Sequence, residues 1–216
     1  MEVNFKYKNH DFKMEVHDDH IGKVINKNKT FYESGMLKAI EDLNLKGTYI
    51  DIGANIGNHT VFFGKLKNVE VKSFEASSSN FTKLKQNIEQ NNIKAEIYNS
   101  ILSDNNYSTY TVEKIEKNMG SCFCIKSDVS NSIRSKTLDI YNFKNVSLIK
   151  IDVEGMEFKV LLGALNTLKT YKPDLFIEIH DDDSNKENIL KMLEKLNYKK
   201  LNRYNHSPTY HFTCKS

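Results

Sequence analysis

The sequence predicts an α/β fold, a mostly parallel sheet with helices on both faces, and three observations predict it. Strand-like and helix-like segments alternate from about residue 47 onward. Residues 48–52 and 146–153 read as buried strands that each carry an acid near the carboxyl end, Asp51 and Asp152. Gly53 and Gly57 follow the first of these strands, where a chain turning into a helix has to bring its backbone close to a ligand.

Each element has its own signal. Residues 3–24 alternate loosely and hold His10, His17 and His20, which predicts a small N-terminal β-ribbon. Apolar Met36, Leu37, Ile40 and Leu43 recur at helical spacing, predicting a helix over 31–45 that ends at the glycine cap Gly47. Strand 48–52 leads to a helix over about 58–66, and strand 70–74 is closed by Glu75. Ser78 or Ser79 can cap the next helix, which runs to Glu89 with Phe81, Leu84 and Ile88 on one stripe. Residues 95–98 form a third strand. The Thr- and Tyr-rich segment 105–139 then interrupts the rhythm with added β-structure and loops. Strand 146–153, helix 157–168, strand 174–179, helix 186–196 and a terminal strand pair over 198–212 complete the order. We therefore expect one domain over 1–216. Residues 1–46 form a ribbon and helix, and 47–216 a Rossmann-like core with an insertion near 105–139.

Composition narrows the function. The 216 residues are 39% hydrophobic and 27% charged, an ordinary globular balance. Thirty-one Lys and Arg against 28 Asp and Glu leave a formal charge of +3, which gives little steering toward nucleic acid or anionic membranes. Cys122, Cys124 and Cys214 cannot form a disulfide framework, and the Cys122–Cys124 spacing is poor for zinc. On a strand both would point to one face as core or surface thiols. No apolar signal region or membrane-spanning run is present, so a cytoplasmic location is expected, the host cytoplasm if the source is viral.

Four segments can carry chemistry. Gly53-x-x-x-Gly57 is not the dinucleotide fingerprint, because Asn55 occupies the second glycine position. Asp51 would repel a pyrophosphate and hold an ammonium, which favours S-adenosylmethionine over a polyphosphorylated nucleotide. Glu75, about twenty residues on, is placed to accept both ribose hydroxyls, or else is a solvated carboxylate opening a loop. Lys150 and Asp152 share a face of their strand, Lys150 either acting directly or only orienting its neighbour by an ion pair. Glu154 is a candidate catalytic acid or a helix N-terminal charge. Glu178 and His180 point the same way at the end of the adjoining strand and suit general-base chemistry, His180 having a surface role as its alternative. Asp152, Glu178 and Asp181 could also supply the oxygen ligands of a Mg²⁺ ion. The ribbon histidines show no ligand spacing and receive no role.

Together these segments closely resemble the FkbM family of S-adenosylmethionine-dependent methyltransferases. The resemblance runs from Tyr32-Glu33 through Asp51-Ile52-Gly53-Ala54-Asn55-Ile56-Gly57, Phe74-Glu75-Ala76, Asn87 and Asn91, and Ile101-Leu102-Ser103-Asp104. It continues through Thr137-Leu138-Asp139, Ile149 to Glu157, Gly163-Ala164 and Pro173-Asp174 to Glu178, with Lys150-Ile151-Asp152-Val153-Glu154-Gly155 its most specific mark. Glu75-Ala76-Ser77, where relatives often carry Glu-Pro, the segment 105–139 and His59 depart from the family pattern. The resemblance implies a class I methyltransferase sheet and O-methylation of sugar or natural-product hydroxyls, with S-adenosylhomocysteine as product. On this reading Asp51, Gly53, Asn55 and Gly57, with Ala54 and Thr60 beside them, hold the methionine moiety. Glu75 and Ala76 hold the ribose, Ser100, Ile101 and Leu102 border the adenine, and Asp152 adjoins the cofactor. Asp152 and His180 act as base or orient the acceptor, supported by Glu154 and Glu178. The expected partner is a sugar, glycan or small-molecule hydroxyl. The rivals are an RNA ribose 2'-O-methyltransferase, a non-catalytic cofactor-binding subunit and a nicotinamide oxidoreductase, and oligomeric state stays open.

Overall fold

A computed structural model describes the backbone of residues 1–115, 118–127, 129 and 132–215, with side chains for these except 114, 115 and 118–123. Strands β1 (Glu2–Tyr7) and β2 (His10–Glu15) pair as an antiparallel hairpin, followed by helices α1 (His20–Asn28) and α2 (Ser34–Asp42). The alternation then begins with β3 (Gly47–Ile52), α3 (Asn58–Phe63), β4 (Val69–Glu75), α4 (Ser78–Gln90) and β5 (Ala95–Asn99). The interrupting segment supplies β6 (Thr109–Ile115), β7 (Asn118–Lys126) and β8 (Ile133–Arg134), then a 3₁₀ turn at Leu138–Tyr141. After it come β9 (Val146–Ile151), α5 (Glu157–Leu162), α6 (Leu165–Tyr171), β10 (Asp174–Glu178), α7 (Lys186–Lys195), β11 (Lys199–Tyr204) and β12 (Thr209–Thr213).

Among the described residues the main sheet has seven strands in the order β11-β12-β10-β9-β3-β4-β5. The five from β10 to β5 are parallel, whereas β12 runs antiparallel to β10 and to β11. The chain leaves β3 toward β5 and returns to β9 on β3's other side, so the connections diverge above these two strands. That divergence opens a crevice at their carboxyl ends, the usual ligand position in open α/β sheets.

Alternation along the strands builds a separate core on each face. Tyr49, Val71, Leu148 and Phe176 pack with α3, α4, α1, α2 and the hairpin. Ile50, Ile52, Ile149, Ile151, Leu175 and Ile177 pack under α5, α6 and α7. The first face carries an unusual polar row, since Ser73, Asp51 and Lys150 lie side by side in register on β4, β3 and β9, all buried.

The strand assignments hold to within a residue or two, and the departures have physical causes. The ribbon ends at Glu15 rather than running to 24, because Asp19 accepts the Gly22 N–H at 2.9 Å and caps α1. Helix α2 stops at Asp42, Asn44 takes the left-handed turn (φ 50°), and Gly47 opens β3 instead of capping the helix. Ser77, not Ser78 or Ser79, stands at the head of α4. The helix expected over 157–168 is two short ones, broken at Gly163-Ala164 where the chain passes against the Ser103 carbonyl. Segment 105–139 forms the antiparallel sheet β7-β6-β8, as its composition predicts. Among the described residues Cys124 and Cys214 are not disulfide-bonded, and the Cys122 side chain lies outside the described residues. Among the described residues no helix is long and apolar enough to cross a membrane.

Candidate active site

The crevice is a cavity of about 480 Å³, a size suited to a cofactor-sized ligand. Gly53 and Asn55 form its floor at the end of β3, and Phe74, Glu75 and Ala76 its wall at the end of β4. Ser100, Ile101 and Leu102 continue that wall beyond β5, while Val153, Glu154 and Met156 close the side above β9. Asp152 and Glu178 line the far end together with Tyr32 and Glu33.

At the near end Glu75 organises the backbone. Its Oε2 accepts the Asn55 N–H at 2.8 Å and its Oε1 the Ser77 N–H at 2.8 Å. Gly53 has φ +80°, and an added Cβ would collide with the Asp152 carbonyl oxygen, so only glycine serves here. Burial pushes the Glu75 carboxyl up to about 7, although the two N–H donors and Lys150 favour its ionised form.

At the far end the charges are closely coupled. Lys150 is 2% exposed and its Nζ donates to the Gly53 carbonyl at 3.0 Å. The same Nζ lies 3.2 Å from Asp152 and 3.6 Å from Asp51. Burial would strip the lysine's proton, but Asp152 and Asp51 hold it charged. Burial likewise raises Asp152, yet Lys150 and a hydrogen bond from Glu178 outweigh it and keep that carboxylate below its ordinary value. Glu178 is driven the other way by burial and by the charges of Asp152 and Glu154, so it is the proton carrier of the pair. Burial and the adjacent Glu33 charge push the Tyr32 phenol up to about 12, leaving it a neutral donor.

These placements revise the residue assignments. Glu75, Ala76, Gly53, Asn55, Ser100, Ile101, Leu102, Asp152, Glu154 and Glu178 all line the cavity. Asp51 does not: it is fully buried behind the floor, bound to the Thr60 hydroxyl at 2.7 Å and facing Lys150. Ala54, Gly57 and Thr60 also stand behind the floor rather than on it. His180 sits outside the wall, 46% exposed, with Nε2 3.5 Å from Glu178. The proposed Mg²⁺ donors Asp152, Glu178 and Asp181 do not converge, because Asp181 is exposed and paired with Lys186 at 2.6 Å. Among the described residues, the metal-capable atoms that lie within 4.8 Å of one another belong instead to Glu154, Glu178 and His180.

Several lining residues escape the sequence reading. His20 and Ile21 arrive from the start of α1, His206 and Ser207 from the β11–β12 turn, and Cys124 from β7. No local pattern marks them, since only the tertiary fold brings their segments to the crevice. Glu33 could have been found: it follows Tyr32 in a matched dipeptide, and it pairs with His59 Nε2 at 3.1 Å. Glu157 is another, its Oε1 accepting the Val153 and Gly155 N–H groups at 3.1 and 3.3 Å and fixing the turn after β9. Burial pushes that carboxyl up to about 7.

Strand order and crevice define a class I methyltransferase fold, and three solved structures share it. They are a methyltransferase FkbM from Methylobacillus flagellatus KT, the Pyrococcus abyssi tRNA (uracil-54, C5)-methyltransferase with S-adenosyl-L-homocysteine, and an rRNA methylase from Streptococcus thermophilus. The first matches at 16% identity with TM-score 0.57, over 78% of this chain and 44% of its own. The second matches at 14% and 0.51, over 98% and 43%, and the third at 13% and 0.53, over 84% and 94%. The chain thus spans less than half the length of the first two. Residues 51–200 match the model of the methyltransferase FkbM domain, and the chain belongs to that S-adenosylmethionine-dependent family. A sequence search of curated proteins returned no match.

Proposed function

We propose that the chain transfers a methyl group from S-adenosylmethionine to a hydroxyl of a sugar or glycan, residues 1–216 acting as one domain. The observation that carries this reading is the far end of the cavity. There an ionised carboxylate, Asp152, stands beside a protonated one, Glu178, on the wall of a crevice whose near end carries a ribose-type acid. The cavity fits the cofactor, since Glu75 retains lone pairs for two hydroxyls and the Gly53 floor has no side chain to block close approach. Glu75 and Ala76 would hold the ribose, Ser100 to Leu102 the adenine, and Gly53, Asn55 and Asp152 the methionine end. Asp51 and Thr60 act one layer behind, through Lys150 and the turn.

When bound, the cofactor supplies a methyl group on a sulfonium leaving group. The chain's own work is alignment, exclusion of water and removal of the acceptor's proton. A positioned base contributes about 10²–10⁴-fold. Asp152 accepts the hydroxyl proton, Glu178 passes its own proton outward, and His180 at 3.5 Å delivers it to solvent. Glu154 adds negative charge that favours the proton's stay on the pair. Acceptor class is supported by what lines the cavity: among the described residues no Lys or Arg does so, whereas the acids Glu33, Asp152 and Glu154 do. A phosphodiester would meet that field unfavourably, which ranks a neutral polyol above RNA ribose.

The test is a screen of mono- and oligosaccharides, small polyols and capped RNA with methyl-labelled S-adenosylmethionine. Label is expected on an uncharged polyol. Turnover confined to RNA would overturn the acceptor assignment.

A further inference from the structure

The turn Gly53–Gly57 makes three reversals to positive φ, at Gly53 (+80°), Asn55 (+51°) and Gly57 (+89°). Such a turn holds its shape only where its polar groups are fastened. Lys150 takes the Gly53 carbonyl and Glu75 the Asn55 N–H. A third fastening comes from α4, where Asn87, 0% exposed, donates Nδ2 to the Ile56 carbonyl at 2.7 Å. The same amide pairs with the hairpin: Nδ2 also donates to the Glu15 carbonyl at 3.0 Å, and Oδ1 accepts the Glu15 N–H at 2.6 Å. One turn further, at the C-cap of α4, Asn91 makes a matching pair with Lys13, its Oδ1 accepting the N–H at 3.0 Å and its Nδ2 donating to the carbonyl at 2.6 Å. The turn does not figure among Asn91's partners, which are Lys13, the Asn87 carbonyl and Lys65.

We propose that Asn87 is a positioning residue for the cofactor, tying the N-terminal hairpin to the floor of the site so that the hairpin sets cofactor affinity. Asn87 touches no cavity surface, and acts only by holding Ile56, midway between Asn55 and Gly57. The packing enforces the link, since an added Cβ on Gly57 would press on Leu84 of α4 at 2.7 Å and the helix cannot shift without moving the turn. The inference rests on S-adenosylmethionine being the ligand of this cavity. Asn91 provides the internal contrast, the same hold on the hairpin without the contact to the floor.

Calorimetric titration of the full chain with S-adenosylhomocysteine tests it. Asn87→Ala is expected to weaken binding by about tenfold or more, because among the bonds it removes is the one to the Ile56 carbonyl, which is left unsatisfied at the floor. Asn91→Ala is expected to stay within about twofold of wild type while lowering the melting temperature comparably. Equal affinities for Asn87→Ala and wild type would overturn the proposal, as would equal weakening by both variants. Failure of the wild type itself to bind would instead remove the cofactor reading, and this inference with it. Amide exchange on the unmodified protein covers the case in which Asn87→Ala does not fold. Coupling is reciprocal, so adding S-adenosylhomocysteine should slow exchange of the Glu15 N–H several-fold more than that of Lys13. Equal slowing of the two overturns it.

Discussion

At the near end of the cavity a single carboxylate, Glu75, is fastened by two backbone N–H groups and sits close to its own titration point, about 7. At the far end Asp152 and Glu178 stand together, Asp152 held below its ordinary value by Lys150 and Glu178 driven above its own, with Asp51 behind the floor on the other side of the same lysine. The first arrangement shapes backbone and leaves charge adjustable by the ligand. The second fixes charge and leaves a proton path. On the proposed function, cofactor binding weighs on the near end and chemistry on the far end of one crevice of about 480 Å³, and variants at the two ends should divide in the same way.

The sharpest break is Asp152→Asn. Turnover should fall about 10²–10⁴-fold, far more than S-adenosylhomocysteine affinity by calorimetry, which Asp152 shares with Gly53 and Asn55. Full turnover in that variant would place the base elsewhere. Lys150→Met comes next: it leaves Asp51 buried without its counter-charge and should cost about 3–5 kcal/mol in urea unfolding. Combining it with Asp51→Asn should recover part of the loss, because the two residues are coupled neighbours in register.

At the other end the expected effects are smaller and depend on pH. Ribose hydroxyls donate to an ionised carboxylate, so S-adenosylhomocysteine affinity should weaken as pH falls through about 7, where Glu75 takes up its proton. Glu75→Gln should bind about 10–100-fold more weakly at pH 8, the worth of a hydrogen bond to a charged group, and lose that pH dependence. A pH-independent wild type would remove Glu75 from the ribose role. The last effect, read as a slope with pH, concerns the ligand-free protein. Glu75 and Glu157 both bind protons more tightly folded, about 7 against 4.5 unfolded. Their contribution is complete below 4.5 and is lost as pH rises through 7, at most about 1.4 kcal/mol per pH unit for each group. Glu157→Gln should flatten that slope in chemical denaturation while leaving affinity near wild type.

Much of this was readable in the chain, for reasons that can be named. Period-two alternation put Lys150 with Asp152, and strand ends at Glu75 and Asp152, because those rules depend only on neighbours in sequence. The burial of Asp51 is not legible in the chain, because an acid at a strand end looks the same whether it meets a ligand or a buried lysine. The lysine, Lys150, is 99 residues away from it in sequence. Helix α1 was missed because its polar sequence, His20-Ile21-Gly22-Lys23, lacks a broad apolar stripe, and only Ile25 and Gly22 are buried. His20 at the cavity was lost with it. His206 and Ser207 reach the site from a turn between the last two strands, a placement that depends on β12 crossing back beside β10.

The asparagine pair on α4 also bears on how the chain behaves among its neighbours. A two-stranded ribbon exposes a row of backbone donors and acceptors along each margin, and such a margin can template another molecule's strand. Along β2 the outward groups of Lys13 and Glu15 are already taken by Asn91 and Asn87, side-chain amides standing in for an absent third strand. The hairpin is thus closed on that margin by a helix, and the protein gains a safeguard against edge-to-edge self-association without adding a residue to its sheet.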